Sequence, residues 1–271
     1  MELLKFDLPT GAKLAAWLHT ENSEMTDDLC KNRPAVIICP GGAYIYTSAR
    51  ESDPVAQEFF AMGAQVFILN YSVEEKAADK RPLEELARTV MMVRKNAAQW
   101  WVDPRKIVTI GFSAGGHLAG SLGVHWDDPE IAERCDVADA KLLRPDGMIL
   151  CYPVLSMIDG VTHQITKKTI MANTKEEENY WSLETQVKDT TPPTFIWHTM
   201  EDADVPVENS LLFVSALRRN GVSCEAHFFP RGEHGRSVCT REVSTYDPVV
   251  RQWVSLCGKW LDTLFDPLGG I

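Results

Sequence analysis

The chain has 271 residues, 45% of them hydrophobic and 24% charged, which is enough apolar material for a sizeable core under a water-facing surface. Its formal net charge of −11 argues against nucleic acid or an anionic membrane as the main partner. Seven cysteines at 30, 39, 135, 151, 224, 239 and 257 form no C-x-x-C pair, so neither a zinc nor a redox motif is indicated and buried thiols in a reducing compartment are expected.

The N-terminal stretch MELLKFDLPTGAKLAAWLHT lacks a basic region followed by a long apolar run. No stretch reaches the ~18 apolar residues of a membrane span. A soluble, cytoplasmic protein without a membrane partner is expected.

Strand-like and helix-like segments then alternate, the pattern of a mostly parallel sheet covered by helices on both faces. PAVIICPGG (34–42) reads as a buried strand entering a glycine turn, and AQVFILNYSV (64–73) as a second strand. Apolar residues at helical spacing predict a helix over 82–101, with Pro82 suited to its first turn and glutamates near its start. KIVTIGFS (106–113) is a third strand, followed at once by the helical run SAGGHLAGSLGVHW. Strands are expected over 146–155, 193–202 and 224–230, and amphipathic helices over 207–222, stopped by Asn220-Gly221, and 249–265. The polar, acidic stretch 156–191 breaks the rhythm. It reads as an insertion above the sheet, a cap-like element within a single domain spanning 1–271.

The strand-to-helix junction Gly111-Phe112-Ser113-Ala114-Gly115 fits G-x-S-x-G, the nucleophile elbow. A serine hydroxyl attacks only when a base removes its proton, and it must project clear of the sheet on a turn too sharp for bulky neighbours. Ser113 sits at a helix N-terminus, where free backbone N–H groups favour negative charge. An ordinary serine N-cap explains the residue as well, so its partners decide the matter.

The glycine turn Pro40-Gly41-Gly42-Ala43 offers the N–H groups of Gly42 and Ala43 which, with that of Ala114, are candidate oxyanion donors. Glu201, Asp202 and Asp204 crowd the end of the 193–202 strand and are candidate partners for an imidazole. Of seven histidines, His234 lies in the glycine-flanked loop GEHG after the last strand-like run. The order Ser113, Asp202, His234 is the one this strand-turn-helix context requires.

Together CPGGAYIYTSARE, GFSAGGHLAG, HTMEDADVP and GEHG resemble the α/β-hydrolase superfamily, over about residues 34–262. The narrower resemblance is to its small esterases of the acetyl xylan esterase and hormone-sensitive-lipase-like kind. It implies the α/β-hydrolase fold, Asp202 as the acid through its D-x-x-V-P spacing, and His234 as the base. Pro-Gly-Gly-Ala replaces the His-Gly-Gly-Gly of many lipase-like members, and PGG-x-Y followed by S-x-R-E is closer to carbohydrate deacetylases.

The resemblance implies hydrolysis of short-chain esters, acetyl above all, on carbohydrates such as xylo-oligosaccharides, through an acyl-enzyme and with no metal or organic cofactor. A general short-chain carboxylesterase is the alternative, and a non-catalytic binding protein of the same fold a further one. Tyr44, beside the oxyanion turn, with Trp126 and Trp181, are the candidate sugar-stacking residues, and Tyr46 belongs to the same group. The sequence leaves open whether Asp204 or Glu201 replaces Asp202, and whether the chain forms a homo-oligomer.

Overall fold

The computed structural model describes residues 1–20, 24, 31–172 and 174–265. Eight strands of the described residues make one sheet: β1 (Glu2–Asp7), β2 (Lys13–Leu18), β3 (Arg33–Cys39), β4 (Gln65–Asn70), β5 (Val102–Phe112), β6 (Gly147–Cys151), β7 (Thr194–Thr199) and β8 (Cys224–Phe229). Their spatial order is β1-β2-β4-β3-β5-β6-β7-β8. β2 runs antiparallel to both β1 and β4, and every pairing from β4 to β8 is parallel. This is the architecture of an α/β hydrolase, with helices on both faces.

The central strands carry continuous buried runs, such as AVIIC in β3 and IVTIGF in β5, because both of their faces are covered. In β3, Ala35, Ile37 and Cys39 enter one core while Val36 and Ile38 enter the other, the period-two alternation of a strand. On the first face they meet Leu83, Leu86, Val90 and Val93 of α2 (Arg81–Lys95) and Leu118 and Leu122 of α3 (Ala114–His125). On the second face lie Val55 and Phe59 of α1 (Asp53–Ala61), and beyond them Trp253, Cys257 and Trp260 from the C-terminal helix (Gln252–Phe265). Each such side chain contributes roughly 1.5–3 kcal/mol by leaving water.

Two strands precede the first one expected from sequence. In KLAAWL alanine and tryptophan occupy the half-covered positions between buried Leu14, Ala16 and Leu18, so the alternation is masked. The helix expected to reach 101 stops at Lys95. The Asn96 side-chain amide donates to the Met92 carbonyl, and the chain turns through Trp101 at φ 54° into β5.

Residues 156–191 carry helices α4 (Gln164–Ala172) and, further on, Glu178–Trp181. Among the described residues the cysteines at 39, 135, 151, 224, 239 and 257 are free thiols, and Cys30 lies outside the described residues. No helix of the described residues is long and apolar enough to cross a membrane.

Candidate active site

Ser113 joins β5 to α3 with φ 53° and ψ −117°, a backbone conformation that an L-residue holds only when its surroundings impose it. The surroundings are backbone. A Cβ on Gly111 would stand 2.0 Å from the Gly115 carbonyl oxygen, and one on Gly115 2.0 Å from that of Cys39. Glycine at both positions is what lets β3, β5 and α3 close around the serine. The Ser113 N–H donates to the Cys151 carbonyl at 3.0 Å, and its own carbonyl accepts from Val154 and His117 at 3.1 Å each.

The structure brings His234 and Asp202 to this hydroxyl. His234 Nε2 lies 2.8 Å from Ser113 Oγ, and His234 Nδ1 lies 2.7 Å from Asp202 Oδ2. Burial alone would push the Asp202 carboxyl up. Hydrogen bonds from His198 and His234, the charge of His234 and the Val205 N–H outweigh it, and hold the carboxyl well below the usual range. An ionised carboxylate only accepts, so Nδ1 carries the proton and Nε2 is left to accept from the serine hydroxyl.

Among the three acids considered from sequence, Asp202 is bonded to His234. Its other oxygen accepts the N–H groups of Asp204 (3.1 Å) and Val205 (2.9 Å), which fixes the carboxylate plane. Asp204 lines the cleft in front of Ser113, and Glu201 accepts from the Gly232 N–H at 3.4 Å. His198, given no role from sequence, is fully buried with its Nε2 3.3 Å from Asp202 Oδ2 and 2.9 Å from the Val205 carbonyl. Its position at the end of β7, four residues before Asp202, was its only signal.

Gly42 and Ala43 line the same cleft, with φ 129° and 55°. Among the described residues no acceptor takes up the N–H groups of Gly42, Ala43 or Ala114. The cleft has a volume of about 270 Å³, and its outer lining includes Ile45, Tyr46, Arg50, His163 and Ile165. His163 and Ile165 come from the 156–191 insertion. Burial first, then the charge of His234, lowers the His163 pKa.

Three of the four aromatic residues expected to stack on substrate are placed elsewhere. Tyr44 is buried, and its hydroxyl donates to His117 Nδ1 at 3.0 Å, while His117 Nε2 donates to the Trp181 carbonyl at 3.1 Å. Trp181, 6% exposed, packs beside His117 and lines a small cavity with Tyr44 and Leu118. Trp126 lies at the C-terminal end of α3 and lines a groove with Arg94, Arg105 and Arg144, at the opposite end of β5 from Ser113. The correction has a plain cause: tyrosine and tryptophan carry large apolar bodies, and here these anchor the insertion and a helix end. Tyr46, 59% exposed, is the aromatic residue that reaches the cleft.

The sequence model of one family, BD-FAE, matches residues 25–217. Endo-1,4-beta-xylanase B of Butyrivibrio fibrisolvens is 42% identical over 239 residues, which is 84% of this chain and 35% of that protein. An acetylxylan esterase of Xylanibacter ruminicola is 29% identical over 245 residues, 86% of this chain and 46% of that protein. The chain therefore spans between about a third and a half of the length of these curated relatives.

Two solved structures align over nearly the whole chain. An acetyl ester-xyloside bifunctional hydrolase from Caldicellulosiruptor lactoaceticus gives a TM-score of 0.79 at 34% identity, covering 95% of this chain and 89% of that one. A carboxylesterase from Lactobacillus plantarum gives 0.86 at 26% identity and covers 100% of both. With the elbow, the sheet order and the family match in agreement, the chain belongs to the BD-FAE family of α/β hydrolases.

Proposed function

We propose that the protein is a serine ester hydrolase that removes short acyl groups, acetyl in particular, from carbohydrates such as xylo-oligosaccharides. The observation that carries this reading is the hydrogen-bond chain from Ser113 Oγ through His234 to Asp202, 2.8 and 2.7 Å long, at the floor of an open cleft. His234 Nε2 takes the hydroxyl proton as Ser113 Oγ attacks the ester carbonyl carbon. The carbonyl oxygen becomes an oxyanion held by the N–H groups of Gly42, Ala43 and Ala114, each such donor being worth about 2.7–4 kcal/mol in the transition state. Protonated His234, oriented by Asp202, then gives the proton to the sugar oxygen as its bond to the acyl carbon breaks, and the sugar leaves with a free hydroxyl. Water attacks the acyl-serine with His234 again as base, and the free acid leaves.

The substrate class rests on different support. The relatives in the comparison include proteins named as an acetylxylan esterase and an acetyl ester-xyloside hydrolase. The cleft rim presents Tyr46 and the exposed Ile45 and Ile165, apolar faces suited to the flat side of a sugar ring. In this reading residues 156–191 act as a short cap on one α/β-hydrolase domain, lending His163 and Ile165 to the rim.

The test is turnover of p-nitrophenyl acetate and of acetylated xylo-oligosaccharides by the wild type and by Ser113→Ala. The variant is expected to lose at least about a thousandfold in kcat at unchanged stability, because the hydroxyl is the attacking group. Near-normal turnover in the folded variant would refute the serine assignment. A preference for octanoate over acetate esters would replace the deacetylase reading with that of a general carboxylesterase.

A further inference from the structure

Glu51 is a carboxylate only 4% exposed, beside the oxyanion turn and outside the Ser113–His234–Asp202 chain. Burying such a group is costly unless its oxygens are bonded. Both are. Oε2 accepts the Gly41 N–H at 2.8 Å, and Oε1 accepts the Tyr152 hydroxyl at 2.6 Å. The Tyr152 oxygen in turn accepts the N–H of Ser237 at 2.8 Å, three residues beyond His234. The Ser237 hydroxyl closes the circuit by donating to the carbonyl of Arg50, the neighbour of Glu51.

We infer that Glu51 and Tyr152 are positioning residues: one buried carboxylate holds the oxyanion turn at one oxygen and, through Tyr152, the His234 loop at the other. The inference rests on the serine-hydrolase reading above and extends it. Turning the Gly41 N–H inward to Glu51 sets the direction in which the next two N–H groups, those of Gly42 and Ala43, leave the turn. The fit is tight on the serine side too, since a Cβ on Gly41 would lie 2.7 Å from Glu51 Oε2 and 3.0 Å from Ser113 Cβ.

At the other end Tyr152 follows directly on β6 with φ 36°, and its ring stands at 76° to the imidazole of His234, centroids 5.1 Å apart. Burial first, and the Glu51 charge second, raise the phenol pKa well above its ordinary value, so the hydroxyl stays a donor. Replacing a buried ionic group by an apolar one of equal size is often neutral or stabilising. A carboxylate kept here is therefore accounted for by geometry at the reacting atoms rather than by stability. The S-x-R-E stretch that follows the glycine turn thereby gains a physical role: Arg50 and Glu51 are where the two loops meet.

The experiment compares Glu51→Gln and Tyr152→Phe with wild type and Ser113→Ala. Glutamine keeps the shape but has one acceptor oxygen for two donors; phenylalanine keeps the ring and loses the hydroxyl. Each is expected to lower kcat on p-nitrophenyl acetate by about 10- to 100-fold with KM within about threefold, as sub-ångström misplacement of donors does. Affinity for a methylboronic acid, whose tetrahedral serine adduct occupies the oxyanion donors, should fall by the same factor as kcat/KM. The double variant should be little worse than the worse single one, because both changes break one path.

A merely structural role would lower the melting temperature and leave kcat and boronate affinity of the folded protein intact. That result, with both quantities within twofold of wild type, would overturn the inference. Should Glu51→Gln not fold, Tyr152→Phe decides alone, since it leaves the carboxylate bonded to Gly41. Ser113→Ala separates the two layers of argument. If it retains turnover, the serine reading fails; if it is inactive while the other variants are normal, only the positioning role fails.

Discussion

Two regions frame the cleft, and they are held by different forces. Around the elbow, backbone packs on backbone: β3, β5 and α3 approach so closely that a single methyl at Gly111 or Gly115 would overlap a carbonyl oxygen. The insertion is held by polar straps. Lys80, nearly buried, reaches Asp128 (3.0 Å), Glu130 (3.0 Å) and Glu176 of the insertion (2.8 Å), and lies over the ring of Tyr180. His117 and His125 of α3 reach the carbonyls of Trp181 and Tyr180 at 3.1 and 2.9 Å. The difference teaches a division of labour. Steric closure fixes the groups proposed to do chemistry and has no adjustable part, whereas ion pairs and imidazoles fix the rim and respond to pH and sequence change.

The sharpest way to break this comparison is Gly115→Ala. Overpacking typically costs about 1–3 kcal/mol, and here the neighbours are carbonyls that cannot rotate away. A melting temperature lower by about 2–12 °C is expected, since about 1 kcal/mol corresponds to roughly 2–4 °C in a chain near this size. Turnover should fall more than about tenfold with it, because the glycine turn and the serine are pushed apart. A variant with native melting temperature and native kcat would show that the elbow has slack.

The complementary change is Lys80→Met. It removes the charge around which Asp128, Glu130 and Glu176 gather, and breaking a buried pair costs about 3–5 kcal/mol. Desolvation works against the ammonium, yet hydrogen bonds to the three carboxylates outweigh it and raise the Lys80 pKa, so the group stays charged at neutral pH. Stability by thermal or urea unfolding should fall by about that amount, while kcat on p-nitrophenyl acetate should stay within about twofold if the regions are independent. A parallel collapse of kcat would merge them.

A further effect is expected in the pH dependence of stability. Burial first lowers the pKa of His117 and of His125 to about 4, only partly offset by their carbonyl partners. An unfolded histidine titrates near ~6.5, so between there and about pH 4 the unfolded chain binds more protons and stability falls as pH falls. Asp202, whose carboxyl is depressed, loses its contribution only below the unfolded aspartate value near ~3.9, outside this window. Melting temperature measured from pH 7 to 4.5 should decline, and less steeply in His125→Gln. An unchanged slope in that variant would remove His125 from the account.

Much of the candidate site was legible because the chemistry proposed for it demands residue types with little freedom. Gly111, Ser113 and Gly115 announce a turn with no room for side chains, and the acid and the base follow in the one chain order the fold permits. Legibility failed where a side chain has several good uses. Tyr44, Trp126 and Trp181 look like sugar platforms in one dimension, but in three they serve as anchors, since an aromatic body gains as much from protein as from substrate. β1 and β2 went unread because outer strands with at most one fully buried face need no continuous apolar run.

Sequence alone determined which groups are present and that a strand, a tight turn and a helix present Ser113, because local sterics act between residues close in the chain. Only the tertiary structure decided that Asp202 rather than Asp204 or Glu201 meets His234, that His198 backs that carboxylate, and that Glu51 and Tyr152 join two loops whose contacting residues Arg50 and Ser237 are 187 positions apart along the chain. Those choices depend on hydrogen-bond direction over tenths of an ångström between distant segments, a quantity that no local pattern encodes.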